Sequence, residues 1–152
     1  MERWAKQTLS LVFILAVLIL VGCDKTKSAQ KKFMKEGRWV VTEISTDNYS
    51  VDKLPNLDIN TCDDQTQFCT GVWRHPLGSN CTFNWKFSNL GGDFEYYVDS
   101  LNNEPESMAY SQCSNFSGVY KVKKSKRNQF HFESKTTKGY PGIVVTLLLE
   151  AE

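Results

Sequence analysis

Cys81-Thr82-Phe83-Asn84-Trp85-Lys86-Phe87, followed by Asn89-Leu90-Gly91-Gly92 and then by Phe94, Tyr96 and Val98, is the stretch that decides the fold. Phe83, Trp85 and Phe87 recur at every second position with Thr82, Asn84 and Lys86 between them. That is the period of a strand with one buried face. Asn89 to Gly92 carries residue types that reverse a chain, and Phe94, Tyr96 and Val98 alternate again on the return. Residues 81–98 therefore read as an antiparallel hairpin.

The same period extends outward in both directions. Upstream, Gly37 to Ile44 is rich in β-branched and aromatic residues, and Gln67 to Trp73 reads as the strand before the turn His75-Pro76-Leu77-Gly78. Asn56 to Gln65, with Pro55 at its edge, is polar and reads as a long loop. Downstream, Asp99 to Ser107 with Pro105 inside it is a second loop, and Ala109 to Cys113 is read as a short strand. Gly118 to Lys123, the turn Lys124 to Asn128, the return through Phe130 and Phe132 and the turn Thr136 to Gly142 make a meander. Ile143 to Leu149 is apolar on both faces, which places it centrally or at a closure point, because exposed it would template aggregation. No segment of ten or more residues after residue 36 has a helical period. The expectation is an all-β fold, a small antiparallel up-and-down barrel of about eight strands, which leaves no open sheet edge. A two-sheet sandwich is the alternative.

The N-terminus has a different character. Arg3 and Lys6 precede an uninterrupted apolar run of 11 residues, Leu11 to Val21. That is the length of a signal peptide and short of the roughly 20 residues needed to span a bilayer. Leu20-Val21-Gly22-Cys23 resembles the lipobox of bacterial lipoproteins, in which the cysteine is thioether-linked to diacylglycerol and becomes the acylated N-terminus. The resemblance implies a cleaved signal peptide over 1–22, lipidation at Cys23, and a place in the bacterial cell envelope, anchored to a membrane, with the outer membrane favoured. Residues 23–36 would then be the lipidated cysteine and a flexible basic tether, and 37–152 the folded domain. Residues 24–36 hold five lysines and two acids, whereas residues 37–152 hold 11 basic and 14 acidic side chains. A basic segment under a mildly acidic domain suits anionic head groups. Nothing in this charge pattern suggests nucleic acid.

With Cys23 assigned to lipid, Cys62, Cys69, Cys81 and Cys113 remain, an even number in an exported small domain and the arithmetic of two disulfides. Of three connectivities, Cys62–Cys69 and Cys81–Cys113 are expected: the first closes a tight polar loop, the second ties one strand to the segment before another. A metal site built from Cys62, Cys69, Cys81 and His75 is the rival, but its spacing matches no zinc motif. No metal and no cofactor is expected.

Gly37-Arg38-Trp39 resembles the Gly-x-Trp signature of lipocalins, in which the tryptophan plugs one end of the barrel. The run from Cys81 to Leu149 is similar to small lipocalin-like (calycin-type) lipoproteins of bacteria. It has a cysteine, an F-x-W-x-F strand, a Gly-Gly turn, a second cysteine, Gly118-Val119-Tyr120-Lys121-Val122 and a terminal apolar strand. Ser117-Gly118-Val119-Tyr120 and Thr137-Lys138-Gly139 resemble the Ser-Gly-x-x-Tyr and Thr-Lys-Gly strings of bacterial lipoprotein lysozyme inhibitors.

The chemistry-bearing inventory is thin, and no catalytic residue is assigned. His75 sits in a turn and His131 alternates with Phe130 and Phe132 on a strand. Asp63-Asp64 lacks a calcium-loop pattern. The expected role is non-catalytic binding by a monomeric domain, in the first instance of a small apolar ligand lined by Phe83, Trp85, Phe94, Tyr96, Tyr120 and Phe132. The alternative is an envelope module that binds a partner protein while the same rings fill the barrel.

Overall fold

A computed structural model of the chain describes residues 25–62 and 67–152. The strands are β1 (Arg38–Thr46), β2 (Tyr49–Ser50), β3 (Asn56–Ile59), β4 (Cys69–Arg74), β5 (Asn80–Ser88), β6 (Asp93–Tyr97), β7 (Gly118–Lys126), β8 (Gln129–Thr136) and β9 (Pro141–Ala151). Neighbours follow chain order from β3 to β9, and all pairings are antiparallel. β1 pairs with β3 on one side and with β9 on the other, from Trp39↔Ala151 to Thr46↔Val145. Eight strands thus close into a barrel, and β2 is an extra strand beside the end of β1. Closure excludes the sandwich. Register shifts in β1, β7 and β8 mark bulges, which bend strands enough to close a small barrel.

The alternation seen in the sequence is the alternation of burial. Cys81, Phe83, Trp85 and Phe87 of β5 are buried, and the residues between them are half-buried. β9 explains its two apolar faces: Val145, Leu147 and Leu149 enter the core, while β8 and β1 cover its edges. Asn56 to Gln65 is less of a loop than expected, because Leu57 and Ile59 alternate inward and form β3. On the outer surface Asp58 joins β1, β3 and β4 by pairing with Arg38 and Arg74. Partial burial raises the Asp58 carboxyl, but the two guanidiniums outweigh it and hold it below the usual carboxylate range.

The up-and-down path defines two ends. The proximal end holds the start of β1, the turns at 88–93 and 126–129, and the Cys62–Cys69 loop. The distal end holds the turns at 74–80 and 136–141 and the β6–β7 connection. A helix lies at each.

The proximal helix, α1 (residues 25–36), replaces the expected flexible tether. Ala29, Gln30 and Phe33 are buried on one face, and the Phe33 ring enters the core between Trp39, Trp85, Phe94 and Phe130, with centroids 5.0–5.5 Å away. So short and lysine-rich a segment would be a marginal helix alone; packing of that one face holds it. Gly37 ends it in the left-handed region at φ +69°, its N–H donating to the Met34 carbonyl at 3.1 Å. Two residues on, the Trp39 indole N–H donates to the Phe33 carbonyl at 2.9 Å. Gly37 and Trp39, the barrel signature, thus join plug to barrel.

The distal helix, α2 (Met108–Asn115), occupies the segment expected as a short strand. Ser107 caps its N-terminus by accepting the Tyr110 N–H at 3.1 Å, and Ala109 and Cys113, four residues apart, are its buried face. The Trp73 indole donates to Gln112 at 2.9 Å and the Tyr96 hydroxyl to the Cys113 carbonyl at 3.3 Å.

Candidate functional site

The six residues expected to line a ligand cavity, Phe83, Trp85, Phe94, Tyr96, Tyr120 and Phe132, all point inward and are at most 4 % exposed. They meet each other instead of standing back from a lumen. Phe94 stacks on Phe132 at 4.6 Å, Phe83 meets Tyr96 at 5.4 Å, and Tyr96 stacks on Tyr120 at 6.0 Å. Phe33, Phe87 and Phe130 fill the spaces between them at the proximal end. Burial pushes the Tyr96 and Tyr120 hydroxyls above their ordinary range, and each donates to a main-chain carbonyl at the α2 end.

Cys62 and Cys69 form the expected disulfide, and neither is therefore a metal ligand. Cys81 and Cys113 are brought together, Cys113 on α2 against Cys81 on β5, yet both are buried free thiols and not the expected bond. The Cys81 S–H donates to the Thr82 carbonyl at 3.6 Å; the neighbouring Cys113 thiol lowers the Cys81 thiol although burial opposes it, and burial pushes Cys113 well up. Packing of α2 on β5 brings the two cysteines together, and their spacing in the chain carries no information on their oxidation state. Among the described residues no three His, Cys, Asp or Glu side chains cluster tightly enough to hold a metal ion. His75 is tied into its turn, Nδ1 accepting the Leu77 N–H at 3.2 Å, and His131 lies 3.3 Å from Glu133 on the outer face of β8.

The distal end joins two strings that lie apart in the chain. The Lys138 N–H donates to the Ser117 carbonyl at 2.9 Å, and the Gly139 N–H to the Asn115 carbonyl at 2.8 Å. Both glycines are required by this contact. A Cβ on Gly118 would stand 2.7 Å from the Thr136 carbonyl oxygen, and one on Gly139 would stand 2.8 Å from the Asn115 Cβ. Lys138 is exposed, with its ammonium 3.1 Å from the Ser114 hydroxyl. Ser117 Oγ donates to the Ser114 carbonyl at 2.7 Å, and Tyr140 stacks on Phe116 at 5.3 Å behind them.

From this site a groove of about 570 Å³ continues over the outer face of β7 to β9, past Val119, Lys121, Glu133, Lys135, Thr136 and Val144. Val119 is 44 % exposed there and gives the groove an apolar wall beside Val144.

Cys23 and Asp63-Asp64 lie outside the described residues. No helix among the described residues is long and apolar enough to cross a membrane. The chain matches no family model, no curated protein and no solved structure.

The sequence reading missed α1 as a plug. Its signal was present in Ala29 and Phe33, four residues apart, and in Gly37 just beyond the last turn.

Proposed function

We propose that the chain is an exported lipoprotein, held to an envelope membrane through Cys23, whose barrel is a non-catalytic module that binds a partner protein at its distal end. The observation that carries this reading is the packed aromatic interior. It favours work done on the outer surface over carriage of a small apolar ligand. The contact between Ser117–Tyr120 and Thr137–Gly139 supplies the surface, with the groove over β7 to β9 beside it. Lys138, exposed and braced by Ser114, suits an acidic cleft, and glycosidases that cut with paired carboxylates present one. The similarity of these strings to lysozyme inhibitors makes a c-type lysozyme the first partner to try.

The test is inhibition of a c-type lysozyme by the purified protein, with Lys138→Glu as control. Inhibition at low micromolar concentration that the substitution abolishes supports the reading. No inhibition at high micromolar concentration removes lysozyme as the partner. A lipid-like mass retained in native mass spectrometry overturns the packed-interior argument itself.

A further inference from the structure

Resting on the anchor reading above, the fold sets an orientation on the membrane. Phe33 clamps α1 to the barrel, and one residue separates the described helix from Cys23, a reach of roughly 7 Å even when extended. An acyl group on Cys23 would therefore hold the first turn of α1 within about that reach of the head-group layer.

The helix face opposite Phe33 is cationic. Lys27, Lys31 and Lys35 recur every four residues, are exposed, and have no ion pair among the described residues. With Ser28, Lys32 and Arg127 they line a shallow groove of about 510 Å³. Lys32 reaches the Ser125 carbonyl at 3.4 Å and Arg127 lies 3.5 Å from Glu36, so the β7–β8 turn is fastened to the same patch.

The β5–β6 turn is the second observation. It rests on the first turns of α1, for a Cβ on Gly91 would stand 3.0 Å from the Lys25 carbonyl and 3.3 Å from Ala29. It carries Leu90, 57 % exposed and in the left-handed region at φ +59°. A leucine is rare there, and its side chain is of no use to the core. An apolar residue offered to solvent beside a row of lysines has the composition of an interfacial contact, the leucine among acyl chains and the ammonium groups at phosphates.

We infer that the proximal end, through Lys27, Lys31, Lys35 and Leu90, is a docking surface for an anionic phospholipid bilayer. The barrel then stands on the membrane and does not swing from it. Ser117 and Lys138 are held at the far end, roughly 20–25 Å away along tilted strands, facing the aqueous space.

The test uses the full chain, expressed in a bacterium, extracted in detergent and placed in nanodiscs of phosphatidylcholine, with or without a third of phosphatidylglycerol. Intact mass reports acylation, and lysine-acylating reagents footprint the surface. Lys27, Lys31 and Lys35 are expected to label about fivefold more slowly in the anionic discs, the factor one lysine contributes near such a surface. Lys53 and Lys138, at the distal end, keep their rates. Leu90→Asp is expected to remove most of the contrast while leaving the fold intact. Equal labelling in both discs on an acylated protein overturns the docking surface and leaves the anchor reading standing. A mass without acyl groups overturns the anchor reading, and the footprint contrast still decides the lysine face.

Discussion

Replacing Phe33 by alanine tests whether α1 belongs to the fold. Phe33 is 0 % exposed, and its ring centroid lies 5.0–6.3 Å from those of Trp39, Trp85, Phe87, Phe94, Phe130 and Phe132. Truncation to alanine removes about 100 Å² of buried apolar surface, or ~2.5 kcal/mol. A remaining hole of roughly 80 Å³ adds about 2 kcal/mol if the neighbours do not collapse. The expected loss is thus about 4–5 kcal/mol, with Phe33→Leu costing roughly 1–1.5 kcal/mol. Urea unfolding can be followed through Trp39, Trp73 and Trp85, all at most 1 % exposed. At a slope near 2 kcal/mol per molar, the alanine midpoint falls by roughly 2 M. Hydrogen exchange adds a local reading: α1 amides are protected in the parent protein and exchange almost freely in Phe33→Ala. A loss under about 1 kcal/mol, together with unprotected α1 amides in the parent, would refute the plug and restore a flexible tether.

Other substitutions probe separate parts of the barrel. Gly71 faces the Phe83 ring across β4–β5, and an added Cβ would stand 2.6 Å from Phe83 Cζ. Gly71→Ala should cost about 1–3 kcal/mol and Phe83→Leu should partly rescue it; an unchanged melting temperature would show that the ring simply steps aside. Burial, with a smaller contribution from Lys53, lowers the His75 pKa, so the unfolded chain binds its proton more readily. The stability that neutral His75 contributes is complete above its unfolded value of about 6.5 and is lost as pH falls through the folded one. His75→Asn, whose Oδ1 can accept the Leu77 N–H, should flatten melting temperature between neutral and mildly acidic pH; an identical slope in the variant would assign it elsewhere. Oxidised glutathione should convert the Cys81 and Cys113 thiols to a disulfide, passing two electrons and two protons to glutathione, and stabilise by roughly 3–4 kcal/mol. Two alkylatable thiols after prolonged exposure would mean that the pair cannot close.

Much of the barrel was legible because a half-buried strand writes its burial directly into the chain. Phe83, Trp85 and Phe87, or Phe130 and Phe132, need no distant residue to declare which face is inside. Short elements were less legible. Leu57 and Ile59 are two inward residues in a polar stretch, and β3 is a strand only because β1 and β4 flank it. α2 spans about two turns, so Ala109 and Cys113 fit a helix and a strand equally well. The candidate site was legible as two strings and not as a site. Their junction depends on the carbonyls of Ser117 and Asn115 accepting from Lys138 and Gly139, which only the closed barrel brings together.

By itself the sequence determined the strand period, the turns, an even set of cysteines after Cys23, and therefore an all-β domain. Those are local properties, set by alternating polarity and by which residues tolerate a reversal. Only the tertiary structure decided that residues 25–36 are a plug, that the inward rings touch, and that Cys81 meets Cys113 as a thiol. Each depends on how much space the closed barrel leaves. At the proximal end that space takes one more phenylalanine, and Phe33 turns a lysine-rich segment into part of the core.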